Sequence, residues 1–83
     1  MVTVYTTPNC NQCAMTKFWL NTKGVHYQTV DLSDPANWGD LEAIRALGYK
    51  AAPVVAIGTD YEVHWSGFRP DLLEEHCTPE VAA

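Results

Sequence analysis

The 83-residue chain is short of positive charge, of cysteine and of long apolar runs, and each shortage excludes something. Five Lys and Arg stand against ten Asp and Glu, for a net charge of −5. Nucleic-acid binding rests on basic side chains set against phosphates, so no nucleic-acid partner is expected. No apolar run approaches the roughly 18 residues that cross a bilayer, so no membrane partner is expected either. The opening Met1-Val2-Thr3-Val4-Tyr5 has neither the basic nor the apolar region of a secretory signal. A cytoplasmic protein is the resulting expectation. The length allows one hydrophobic core, hence a single domain over residues 1–83, and any active site must share it. With 47% hydrophobic residues, the chain has enough apolar surface to fold.

Three cysteines are too few, and too unevenly placed, for the disulfide scaffold of a small secreted protein. Two lie in Cys10-Asn11-Gln12-Cys13 and the third, Cys77, stands alone near the other end. A Cys10–Cys13 bridge closes so short a loop that it restrains the unfolded chain little. Such a pair serves chemistry, either redox or metal. Zinc asks for four ligands, commonly a second closely spaced Cys or His pair. His26, His64, His76 and Cys77 offer no such spacing, so no metal is expected and the redox use is preferred. Acidic residues are also missing from one region. Residues 1–30 hold Lys17 and Lys23 and no Asp or Glu, whereas residues 31–83 hold three bases and all ten acids.

Val2-Thr3-Val4-Tyr5 alternates as a strand does, and Thr6-Thr7-Pro8-Asn9 reads as a turn with Asn9 as N-cap of the following helix. That helix runs from Cys10 to about Thr22, with Ala14, Met15, Phe18 and Trp19 as its apolar face and Gly24 beyond its end. Tyr27–Leu32 is a second strand. Asp34-Pro35 caps a second helix marked by Leu41, Ile44 and Leu47 and closed by Gly48, its start blurred by Gly39. Val54-Val55-Ala56-Ile57 is a buried third strand. Gly58-Thr59-Asp60 turns into a fourth strand in which Tyr61, Val63 and Trp65 alternate with polar residues. Pro70-Asp71 opens a last helix to about Cys77, stopped by Thr78-Pro79. The order β-α-β-α-β-β-α implies a parallel crossover followed by an antiparallel hairpin. The fold class is α/β, a four-stranded mixed sheet flanked by three helices on its two faces.

Cysteines at i and i+3 share a helix face and can meet. Cys10 falls at the helix start, where free N–H groups and the positive end of the dipole favour a thiolate. Cys13, one turn in, gains less and is more covered. Thiolates in such settings have pKa values of roughly 3.5–7.5. The pattern therefore makes Cys10 the nucleophile toward a substrate disulfide and Cys13 the resolving thiol.

These residues resemble the NrdH-redoxins, glutaredoxin-like proteins of the thioredoxin fold, over nearly the whole chain. The likeness is carried by the first strand leading into Thr7-Pro8-Asn9-Cys10-Asn11-Gln12-Cys13, and by Leu47-Gly48-Tyr49 followed by Ala52-Pro53-Val54-Val55. It is carried above all by Trp65-Ser66-Gly67-Phe68-Arg69-Pro70-Asp71. The resemblance implies electron delivery to the large subunit of a class Ib ribonucleotide reductase and recycling by thioredoxin reductase with NADPH. Both partners would bind transiently, to a monomer with no bound cofactor beyond its reversible disulfide. It also implies a cis-proline at Pro53 facing the cysteines, with the peptide groups around Ala52 pairing with a docked partner strand. The Thr7–Gln12 loop and the Trp65–Phe68 segment would border the same surface. Two positions depart from the family: Asn11 replaces an aliphatic residue or Met, and Thr7 replaces a common lysine, removing one source of thiolate stabilisation.

Other residues have plainer expectations. Trp19 and Trp65 are expected to pack inward, Trp65 with a second use in partner contact. Phe68 is expected to be more exposed. Arg69 is expected to brace its loop on Asp60 or Asp71, the three His residues to be ordinary surface or strand residues, and Cys77 to act as a small apolar side chain. Two alternatives stay open. One is a glutathione-dependent glutaredoxin, although Asn11-Gln12 and Ser66-Gly67-Phe68 differ from the usual Cys-Pro-Tyr-Cys and Gly-Gly-x-Asp segments. The other is a non-catalytic metal-binding or interaction module.

Overall fold

The computed structural model describes residues 1–58 and 61–77. The hairpin turn expected at Thr59-Asp60, the Asp60 option for Arg69 and the helix stop at Thr78-Pro79 lie outside the described residues. The elements are β1 (Val2–Thr6), α1 (Asn11–Thr22), β2 (Tyr27–Asp31), a 3₁₀ turn (Pro35–Asn37), α2 (Trp38–Ala46), β3 (Val54–Ile57), β4 (Val63–Ser66) and α3 (Pro70–His76). The sheet order is β2-β1-β3-β4, with β1 parallel to β2 and antiparallel to β3, and β3 antiparallel to β4. β1 is thus a central strand, and all five of its residues are buried. β2, at the edge, is mostly exposed.

Strand alternation sends successive side chains to opposite faces, and two cores result. Val2, Val4, Val55 and Trp65 join Leu20 of α1 and Leu73 of α3 on one face. Tyr5, Val54 and Ala56 meet Ile44 of α2 on the other. The register Val4↔Val55↔Trp65 keeps each layer in line across three strands. Trp38 lies at the start of α2 and is largely exposed.

Several boundaries differ from the sequence reading, each for a local reason. Asn9 sits at φ 59 and Cys10 itself is the N-cap of α1, its sulfur accepting the Cys13 N–H at 3.1 Å. Asp34 does cap, but it caps the 3₁₀ turn, accepting from the Ala36 N–H at 3.0 Å. β4 starts at Val63 because Tyr61 is left-handed at φ 54, which ends strand alternation there.

The largest correction concerns α1. Its inward face is Cys13, Thr16 and Leu20, not Ala14, Met15 and Phe18, which are exposed; Trp19 is only partly buried. A threonine can occupy a core position here because its hydroxyl donates to the Gln12 carbonyl at 2.8 Å, one turn back. With its polar group satisfied inside the helix, Thr16 buries as an apolar side chain does.

Candidate active site

Three segments distant in sequence converge at one end of the sheet. The first is the β1–α1 loop, where Thr7, Pro8 and Asn9 are exposed, Cys10 is half-buried and Cys13 is 2% exposed. Cys10 and Cys13 are joined as a disulfide with their Cα atoms 5.2 Å apart. Asn11 and Gln12, between them, are both exposed, although the Gln12 side chain is held by a hydrogen bond. The second segment is Ala51-Ala52-Pro53, where the Ala52–Pro53 bond is cis and Pro53 is buried. The third is Ser66-Gly67-Phe68, between β4 and α3.

Hydrogen bonds clasp the three together. The Gly67 N–H donates to the Pro53 carbonyl at 2.8 Å, and the Ser66 hydroxyl to the Ala51 carbonyl at 3.3 Å. The Phe68 N–H donates to Gln12 Oε1 at 3.0 Å, tying the loop to the residue just before Cys13. Gln12 is therefore a strut within the site, not only a surface contact. Gly67 has φ +86, and a Cβ there would stand 3.2 Å from Gln12 Oε1. Left-handed backbone costs a side-chain-bearing residue about 1–2 kcal/mol. Gly67→Ala is expected to lose about that much stability and to speed hydrogen exchange at the Phe68 amide. Unchanged denaturation and unchanged exchange would show that the clasp does not depend on glycine.

The remaining site residues fall on either side of the surface. Trp65 is 5% exposed and stacks on His76 with ring centroids 5.9 Å apart, so it packs the core and offers no contact face. Phe68, expected to be exposed, is half-buried and packs against the same core. Arg69 forms a two-bond fork with Asp71, at 3.2 and 2.9 Å. The pairing raises the Arg69 pKa and lowers that of Asp71, through the hydrogen bonds first. Both groups are open to water, so the fork orients the loop more than it stabilises the fold.

Sequence reading missed two features. Tyr49 and His64 share a hydrogen bond of 2.7 Å between β4 and the loop leading to Pro53. A cleft of about 250 Å³ opens beside Thr7 and Ala52, with Leu41 and Ile44 in its lining and Arg45 and Lys50 among its bordering residues. No local pattern links these residues to the cysteines; only the fold places them there. Among the described residues no three His, Cys, Asp or Glu side chains converge as a metal site, and no helix is long and apolar enough to cross a membrane.

Cys77 is 2% exposed, and burial pushes its thiol up to about 11. Reduced native protein at pH 8 is expected to show one fast-reacting thiol, Cys10, with Cys77 reacting only after denaturant is added. A buried thiol held above its unfolded value adds stability below that value and loses it as pH rises toward about 11. Three equally fast thiols would place Cys77 at the surface.

A disulfide-capable cysteine pair at the start of the helix after a central strand, on a four-stranded mixed sheet with three helices, defines a thiol–disulfide oxidoreductase of thioredoxin-like fold. The glutaredoxin family model matches residues 2–62, and the chain belongs to that family. It is 37% identical over 82 residues to the glutaredoxin-like protein NrdH of Salmonella typhimurium, covering 98% of this chain and 95% of that one. It is 36% identical over 73 residues to NrdH of Lactococcus lactis subsp. cremoris, covering 88% and 94%. Among solved structures it is similar to the NrdH-redoxin of Escherichia coli, a protein with a thioredoxin-like activity profile. The TM-score is 0.80 and the identity 33%, with 90% and 92% of the two chains covered. The protein is an NrdH-like, glutaredoxin-like redox protein.

Proposed function

We propose that this protein delivers electrons to a protein disulfide, that of a class Ib ribonucleotide reductase, and is itself re-reduced by thioredoxin reductase at the expense of NADPH. The observation that carries the reading is the unequal setting of the two sulfurs. Cys10 is half-exposed and aims its sulfur at the Cys13 N–H, while Cys13 is buried. A donor N–H and the start of a helix dipole favour negative charge on Cys10 when the pair is reduced.

The Cys10 thiolate attacks one sulfur of the partner disulfide, forming a mixed disulfide and expelling the other sulfur as a thiolate. The Cys13 thiol, giving up its proton, then attacks the Cys10 sulfur, closes the Cys10–Cys13 bond and releases the second partner thiolate. Two electrons and two protons pass to the partner as its two thiols. Cys13 needs little access to water for this step, since its target is the neighbouring sulfur. The peptide groups around Ala52 would pair with the partner segment and hold its disulfide in line with Cys10. Arg69 and Asp71 would keep the adjoining loop in place. The cytoplasm, where thiols are kept reduced, suits this cycle.

NADPH oxidation coupled to disulfide reduction tests the assignment, with thioredoxin reductase in one assay and glutathione plus glutathione reductase in another. Turnover is expected with the first. Turnover with glutathione alone would make the protein a glutathione-dependent glutaredoxin. No turnover with either, together with stoichiometric zinc in the purified protein, would make it a metal-binding module.

A further inference from the structure

The solvent face of α1 carries two large apolar side chains that the fold does not use. Phe18 is 71% exposed and Met15 is 49% exposed. With Cys13, Thr16 and Leu20 turned inward, Asn11, Met15 and Phe18 follow one another along the opposite side at i, i+4 and i+7. Single exposed apolar residues are ordinary, but these two are adjacent on one helix face. Asn11 ties the stripe to the reactive pair, since it lies between the cysteines. Helical side chains lean toward the N-terminus, so both lean toward the cysteine end.

We propose that this stripe is the docking surface for the electron-supplying reductase, which meets it with an apolar pocket ringed by carboxylates. The inference rests on the reading given under Proposed function. A protein partner takes up about 800 Å² on each side of a standard interface, a patch about 16 Å in radius. Phe18 lies seven residues beyond Asn11, about 10 Å along the helix at 1.5 Å per residue. A partner seated over Cys10 along α1 therefore covers it, and Phe and Met are both enriched in such interfaces. The structure holds the Cys10–Cys13 disulfide, the form that a reductase must engage, and the stripe is displayed in that form.

Charge decides what surrounds the partner's pocket. Lys17 is on the same helix beside the stripe, and Lys23 holds its ammonium 5.7 Å from the Trp19 ring centre on the other flank. The first acidic residue of the chain is Asp31, beyond α1. A complementary surface carries acidic side chains, which speed encounter at low salt.

The test is steady-state reduction by thioredoxin reductase and NADPH, comparing wild type with the double variant Met15→Ser/Phe18→Ser and with Lys17→Glu. The double variant is expected to raise the reductase KM about tenfold, the loss of about 1.4 kcal/mol in docking, at unchanged kcat. Reaction of its reduced form with a small aromatic disulfide should match wild type. Lys17→Glu is expected to raise KM at low salt and to have little effect at about 0.5 M salt. A wild type that the reductase leaves oxidised would overturn the proposed function and this surface with it. A wild type that turns over, with double-variant KM within twofold, would overturn the surface alone. A dimer that the double variant dissociates at unchanged KM would assign the stripe to a second copy of the chain and also overturn the proposal.

Discussion

Reduced Cys13→Ser protein, mixed with a protein disulfide, is expected to accumulate as a covalent adduct through Cys10, with turnover falling to background. Without the second thiol, nothing inside the molecule displaces the mixed disulfide. Cys10→Ser is expected to form no adduct and to be equally inactive, because its two remaining thiols, Cys13 and Cys77, are both buried. Serine at position 10 keeps an oxygen where the sulfur accepts the Cys13 N–H, and serine is a good N-cap, so α1 keeps its start. Loss of activity in Cys10→Ser is thus a loss of chemistry, which thermal melting against reduced wild type checks. Mass spectrometry of the trapped adduct identifies the sulfur. An adduct on Cys13 in the Cys10→Ser protein, formed as fast as the Cys10 adduct, would reverse the two roles.

Leu20→Ala is expected to cost about 2–5 kcal/mol, the range for emptying a fully buried leucine position. Leu20 is 0% exposed and packs α1 onto the sheet beneath Val4 and Val55. Small domains have only about 5–15 kcal/mol of total stability, so this one change removes a large share of it. Phe18→Ala removes a larger apolar side chain from the same helix and is expected to change stability by no more than about 0.5 kcal/mol. Urea denaturation of the oxidised proteins gives both values. Comparable losses would mean that the helix turns a different face to the core.

That pair of substitutions also marks where sequence reading stopped. An apolar count along α1 favours Ala14, Met15, Phe18 and Trp19, and the true inward face contains a threonine. Thr16 buries because of a bond to the Gln12 carbonyl inside its own helix, which a hydrophobic pattern does not register. Strand β4 shows a smaller error of the same sort, since alternation continues back to Tyr61 while the backbone there is left-handed. The buried strand β3 and the strand β1 were legible because β-branched runs between turns permit little else.

The reactive pair was legible because its chemistry is local. Two cysteines one helical turn apart, at the start of a helix, meet whatever the rest of the chain does. The Trp65–Asp71 segment was recognisable as a motif, but its use was not. Whether Gln12 faces outward or back to Phe68 depends on where α3 docks, and that depends on Leu73 reaching the core formed by Val4 and Val55. Arg45, which lines the same cleft as Thr7, is a further case, brought there only by the packing of α2.

By itself the sequence determined the element order, the cysteine pair and the absence of acidic residues from its helix, all properties of short range or of composition. Tertiary structure alone decided the strand order β2-β1-β3-β4, the clasp of Gln12 and Gly67 around the site, and which face of α1 meets solvent. The physical reason is range. Turn, cap and period act within a few residues, whereas the identity of a buried face depends on what arrives from the other end of the chain.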